Sequence, residues 1–242
     1  MISRFFFPDR LPAGGEVVLP EALAHHAARV LRLHDGDDVV LFDGHGGEVA
    51  ARLQVNGRQW SARLQTHRDV ERESPLALVL VQALASGDKM DWVVQKATEL
   101  GARAVWPVAA ARSVLRLDGA RADKRVAHWR QVAVTACEQC GRNRVPDIHP
   151  VTTVDDYLTA ALGVRKLILA PAGERALRDL APPRQDEAVH LLVGPEGGWR
   201  EDEVAACLRA GAEPLGLGPR VLRTETAGLA VLAAMQALWG DY

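Results

Sequence analysis

The segment Leu191-Leu192-Val193-Gly194-Pro195-Glu196-Gly197-Gly198-Trp199 sets the architecture of this chain. The apolar residues 189–193 read as a strand covered on both faces, as in a parallel sheet. The glycines read as a loop, and residues 200–210 as a helix with Glu201, Asp202 and Glu203 in its first turn. Open α/β sheets bind ligands at the carboxyl ends of their strands, where glycine lets the backbone come close to a ligand. The Walker pattern fails because no Lys-Ser or Lys-Thr follows, and the dinucleotide fingerprint fails on spacing. Acidic residues in the next helical turn suit the helix dipole but oppose a bound phosphate. The loop fits a nucleoside-like ligand held by backbone groups without a phosphate; a plain glycine-rich turn is the other reading of the spacing.

A second loop repeats the arrangement in Gly216-Leu217-Gly218-Pro219-Arg220-Val221-Leu222-Arg223-Thr224-Glu225-Thr226-Ala227. It follows a predicted strand at 215–217 and opens a predicted helix at 224–239. Thr224 is a natural N-cap, and Ala227 stands where a capping box would place Glu. Arg223 and Glu225 read either as site residues or as solvated charges at a helix start. Gln236 is the one polar residue between Ala227 and Leu238. A helix apolar on all sides is buried, here between its own sheet and a second surface, read as another copy of the chain.

Working outward, strands at 76–84, 104–108 and 166–170 alternate with helices at 89–100 (closed by Gly101), 120–140, 154–162 and 174–180. That alternation predicts a doubly wound α/β domain. Residues 1–73 read differently, as short strands at 4–7, 16–19, 39–42, 48–55 and 58–66. One helix from Pro20 through Leu33 and a type I′ turn at Asn56-Gly57 complete a small β-barrel of binding-module size. The charged segment RDVERESP at 68–75 reads as a linker, so two domains are expected, 1–73 and 74–242.

The chain has 242 residues and a formal net charge of −2, which gives no whole-molecule attraction to nucleic acid or membrane. Four of its 29 basic residues are lysines, an excess of arginine read as nucleotide bias in the genome. Three cysteines form no extracellular disulfide framework, and their odd number fits a reducing cytosol. The apolar start MISRFFFPDR is too short for a signal peptide, and no run approaches the ~20 apolar residues of a membrane span. Cys137 and Cys140 have C-x-x-C spacing, but the two further ligands of a zinc site are missing, so no metal is expected. A soluble, cytoplasmic protein is the expectation.

Four ordered motifs then carry a resemblance over nearly the whole chain: Val93-Val94-Gln95-Lys96-Ala97-Thr98-Glu99-Leu100-Gly101, Glu138-Gln139-Cys140-Gly141-Arg142, and the two glycine loops. With the N-terminal Arg-Phe-Phe opening, they resemble the RsmE-type 16S ribosomal RNA (uracil-N3)-methyltransferases of the SPOUT superfamily. The resemblance implies an α/β domain with a C-terminal trefoil knot, preceded by a PUA-like β-barrel. It further implies S-adenosylmethionine as cofactor, a homodimer with each site near the subunit interface, and 16S rRNA, in the small ribosomal subunit, as partner.

By the same resemblance the cofactor lies against Leu169, Ala170, Val193, Gly194, Glu196, Gly197, Gly198, Leu215, Gly216, Leu217, Gly218, Val221, Leu222, Arg223, Thr226 and Ala227. Uridine N3 carries a proton at neutral pH, so a base or an anion stabiliser is needed. Arg223 is expected to stabilise charge on uracil O2 and O4, with Glu196 or Glu225 assisting proton removal. Arg4, Arg10, Arg29, Arg32 and Arg52 of the barrel, together with Arg112, Glu138, Gln139 and Arg142, are expected at the RNA. The competing readings are another SPOUT activity on a ribose 2′-O or a different base position, and a non-catalytic RNA-binding protein. A nucleotide-binding oxidoreductase or kinase is disfavoured by the missing phosphate motifs.

Overall fold

The computed structural model describes residues 2–170 and 175–242. The chain divides into two compact units, one of residues 1–73 with 137–145 and one of residues 74–136 with 146–242.

The first unit is built on a five-stranded sheet. Its strands are β1 (Ser3–Phe6), β2 (Gly15–Val18), β3 (Asp38–Phe42), β4 (Glu48–Asn56) and β5 (Gln59–Arg68), in the order β1-β3-β4-β5-β2. Alternating residues turn inward, and Phe5, Leu41, Leu53 and Ala62 are fully buried in its core. The hairpin expected at Asn56-Gly57 is present but one residue later. Asn56 pairs with Gln59, leaving Gly57-Arg58 as the loop. Of these two only Gly57 has positive φ, +61°, which is the type II′ rather than the type I′ requirement.

The helix expected from Pro20 to Leu33 is also corrected. It splits into α1 (Glu21–His25) and a π-helical turn, His26–Val30. Arg32 then takes φ +56°, and the Leu33 N–H reaches back to the Ala27 carbonyl at 2.9 Å. An arginine in this left-handed position leaves none of the glycine signal by which such a stop is ordinarily read.

The second unit carries an eight-stranded, all-parallel sheet. Its strands are β6 (Ala77–Ala83), β7 (Ala104–Ala109), β8 (Asp147–Ile148), β9 (Thr152–Thr153), β10 (Arg165–Leu169), β11 (Arg175–Ala176), β12 (Ala188–Val193) and β13 (Ala212–Gly216). The pairing order is β11-β13-β10-β12-β6-β7-β8, with β9 also on β7. Near-continuous burial of Leu78, Leu80, Val81, Leu191 and Leu192 explains the unbroken apolar runs. The helices are α2 (Lys89–Glu99), α3 (Gly119–Cys140, its last residues grouped with the first unit), α4 (Val154–Ala160), α5 (Glu201–Arg209) and α6 (Thr224–Trp239).

The helix expected at 174–180 is corrected as well. Glu174 lies outside the described residues, and the chain continues from it as β11 and a 3₁₀ turn, Leu177–Asp179. β11 pairs with β13, so a long-range ladder overrides the short local periodicity. On α6, Val231, Leu232 and Met235 are buried in the unit, whereas Ala237 and Leu238 are exposed. Its polar residue, Gln236, is buried, accepting from the Ser74 hydroxyl (2.7 Å) and donating to the Leu100 carbonyl (2.9 Å). No helix among the described residues is long and apolar enough to cross a membrane.

Candidate active site

β10, β12 and β13 are neighbours in the sheet, so the loops after them leave its carboxyl edge side by side. Between these loops the second unit holds a cavity of about 400 Å³. That is within the ~300–1,000 Å³ usual for small-ligand sites. Of the residues expected at a cofactor, Leu169, Ala170, Val193, Gly194, Glu196, Gly198, Leu215, Leu217, Gly218, Val221, Leu222, Arg223 and Ala227 line it, and so does Glu225. Gly197, Gly216 and Thr226 do not. Gly197 is packed under Arg112, whose Cβ would be 3.1 Å from an added Cβ. Gly216 ends β13, and Thr226 is exposed in the first turn of α6.

Other lining residues owe their place to packing rather than to a local signal. Lys89 comes from the start of α2, more than 100 residues before the glycine loops, and only the packing of the sheet brings it there. Trp199, although part of the quoted motif, lies over Gly194; a Cβ there would sit 3.1 Å from its ring. Thr224 is expected as N-cap, but Arg223 takes that position. The Thr224 hydroxyl instead donates to the Gly194 carbonyl (2.5 Å) and accepts from Gln82 Nε2 (2.9 Å). It thereby fastens the start of α6 to the first loop.

Glu196 accepts hydrogen bonds at one oxygen from the Ser86 N–H (3.0 Å), the Ser86 hydroxyl (2.7 Å) and Lys89 Nζ (3.1 Å). Burial alone would raise its pKa, but these donors outweigh it and bring the carboxyl down to about 2. A carboxylate held so firmly in its charged form is a weak proton acceptor near neutral pH. Glu225 Oε2 is buried and lies 3.5 Å from the same ammonium. Arg223 and Arg220 are exposed at the rim and form no ion pair among the described residues.

The remaining expected residues fall into two groups. In the first unit, Arg4 is bound to Glu48 and, at 2.6 Å, to Asn143 Oδ1, with 14% of its side chain exposed. Arg142 is buried against Glu73. Glu138 accepts the Phe6 N–H at 3.0 Å, and burial raises its pKa. These three are tied within the unit, to partners 44 to 139 residues away that leave no local signal. Arg10, Arg29, Arg32 and Gln139 are exposed, Arg10 beside Asp43 at 3.3 Å. Arg52 is exposed and paired with Asp38. In the second unit Arg112 is exposed and donates to the Gly197 and Trp199 carbonyls at 3.2 and 3.3 Å. Burial pushes the Cys137 thiol up to about 12, and among the described residues no three His, Cys, Asp or Glu side chains gather as a metal site would require.

Comparison with known proteins agrees with this geometry. The family profile described as an RNA methyltransferase domain matches residues 72–236, and the RNA methyltransferase PUA domain matches residues 19–59. The ribosomal RNA small subunit methyltransferase E of Bacillus subtilis is 35% identical over 87% of this chain and 86% of its own. The crystal structure of the corresponding enzyme from Neisseria gonorrhoeae, bound to S-adenosyl methionine, superposes with a TM-score of 0.92 at 39% identity, covering both chains fully. A putative methyltransferase from Legionella pneumophila, in complex with SAM, gives a TM-score of 0.95 at 35% identity, again over the whole of both chains. This chain belongs to the ribosomal RNA small subunit methyltransferase E family.

Proposed function

We propose that the protein is an S-adenosylmethionine-dependent methyltransferase acting on N3 of a uridine in 16S rRNA of the small ribosomal subunit. The observation that carries the reading is the cavity between two glycine loops that lack the sequence patterns of phosphate binding, in a chain of this family. Its lining fits the cofactor. Leu169, Val193, Leu215, Leu217 and Leu222 offer an apolar bed for adenine, backbone groups of the loops offer hydrogen bonds, and two carboxylates suit a cationic ligand. Gly218, at φ +90°, has nothing within 4 Å of an added Cβ, so its backbone is open to close approach. When bound, the cofactor supplies a methyl group already activated by sulfonium charge.

The protein's task is then alignment and charge control. Arg223, exposed at the rim and without an ion pair among the described residues, is assigned to stabilise negative charge on O2 or O4 of the uracil ring as N3 loses its proton. Glu225 is the carboxylate assigned to assist proton removal, because Glu196 accepts from Ser86 as well as from Lys89, whereas Glu225 meets the ammonium alone among the described residues. Arg10, Arg29, Arg32 and Gln139 of the first unit, and Arg112 of the second, remain as RNA contacts; a base in folded rRNA must be flipped outward to react. The reading includes a division at 73/74 into a PUA-like barrel and a SPOUT domain, a C-terminal trefoil knot, cytoplasmic location and a homodimer. The exposed apolar end of α6 at Ala237 and Leu238 supports the dimer.

The test is methyl transfer from labelled S-adenosylmethionine to small ribosomal subunits lacking the modification, with mass mapping of the product. Label at uridine N3 is the expected result. Label on a ribose 2′-oxygen or another base would replace the N3 assignment, and cofactor binding without transfer would favour a non-catalytic RNA-binding protein.

A further inference from the structure

Lys89 is the first residue of α2, where an ammonium faces the positive end of the helix dipole. Lysine is disfavoured there by the helix itself, so its surroundings must account for it. Those surroundings are two carboxylates from separate segments: Glu196 Oε1 at 3.1 Å, from the loop after β12, and Glu225 Oε2 at 3.5 Å, from the first turn of α6. The lysine side chain is 28% exposed, and Glu225 is more enclosed at 18%. Glu225 Oε2 is buried without a hydrogen bond, and the ammonium is its one ion-pair partner among the described residues. Glu196, by contrast, has Ser86 as well. All three side chains line the same cavity.

Two carboxylates facing one cavity repel each other unless a cation stands between them. Lys89 is the group that stands there, and Glu225 depends on it more than Glu196 does. We propose that Lys89 is a positioning residue for the methyl-transfer reaction: its ammonium, anchored on Glu196, fixes the carboxylate of Glu225 toward the cavity. The proposal rests on the methyltransferase reading above and assigns Lys89 no contact with the reacting atoms.

The experiment measures single-turnover methyl transfer to unmodified small ribosomal subunits at saturating S-adenosylmethionine, with cofactor affinity measured separately by calorimetry. Lys89→Met is expected to slow the transfer step by tenfold or more, while Lys89→Arg restores most of the rate. Lys89→Gln, which fills similar space without charge, gives a second reading should the methionine variant fail to fold. In a double-mutant cycle, Lys89→Met added to Glu225→Gln is expected to cost no more than Glu225→Gln alone, because both remove one arrangement. A transfer rate for Lys89→Met within twofold of the unaltered enzyme overturns the proposal. So do independent, multiplying effects of the two substitutions. Failure of the underlying methyltransferase reading looks different, since the unaltered protein would then transfer no methyl group, whether or not it bound the cofactor.

Discussion

The loop after β12 and the loop after β13 both carry a glycine-proline turn and are held in opposite ways. In the first, Gly194 lies under Trp199, Gly197 under Arg112, and Glu196 is fixed by Ser86 and Lys89. In the second, Val221 is 78% exposed, and Arg220 and Arg223 stand at the rim without ion pairs among the described residues. One wall of the cavity is prearranged, and the other keeps its charged groups available for an incoming ligand. Binding and chemistry should therefore separate under mutation, with the first loop governing affinity and the second the rate.

The largest expected effect is on the open wall. Arg223→Ala should lower the methyl-transfer rate by about 10²–10³-fold, the usual loss when one donor to a developing anion is removed. Cofactor affinity should change little. Single-turnover kinetics beside calorimetry measure both, and a loss confined to affinity would reverse the roles given to the two loops. Next, Gly194→Val pushes a branched side chain into the Trp199 ring and should weaken cofactor binding by roughly 10–100-fold, ~1.4–2.7 kcal/mol. Unchanged affinity would mean that the first wall is softer than its packing indicates.

Smaller effects test the fastening between the walls. Thr224→Val leaves the Gly194 carbonyl and the Gln82 amide without their hydroxyl partner and should cost about 1–3 kcal/mol of stability in urea unfolding. The least expected change follows from acid. The Glu196 carboxyl falls from 4.5 to about 2 in the folded chain, so its contribution is present above pH 4.5 and is lost as pH falls towards 2. Glu196→Gln should lack that portion of the acid-induced loss, seen by comparing unfolding midpoints of the two proteins across this window. Identical pH profiles would show that Ser86 and Lys89 do not hold the first loop through charge.

Much of this site is legible in the sequence because glycine loops next to buried strands carry a local signature. The predicted strand at 189–193 and the helix at 224–239 stand where expected, and thirteen of the sixteen cofactor residues implied by the family resemblance line the cavity. Features that depend on distant partners escape such a reading. Lys89 reaches the cavity only through the order of the sheet, and Thr224 abandons its local capping role for Gly194 and Gln82. The same limit hides the internal ties of Arg4, Glu138 and Arg142. Charged residues on a short motif invite an RNA contact, yet each has found its partner inside its own unit. Backbone detail is lost for another reason. The left-handed Arg32 has no residue type that announces it, whereas Gly57 does carry the positive φ its type suggests and only the register of the turn is missed.

The position of β13 in the sheet has a consequence for biosynthesis. This strand, ending at Gly216, lies between β10 and β11, both made earlier. Until it has left the ribosome, the two flanking strands have a gap between them, and half of the cavity does not exist. The enzyme therefore acquires its binding competence late in translation and all at once, and nascent chains stalled before residue 212 should present an incomplete sheet edge that invites chaperones.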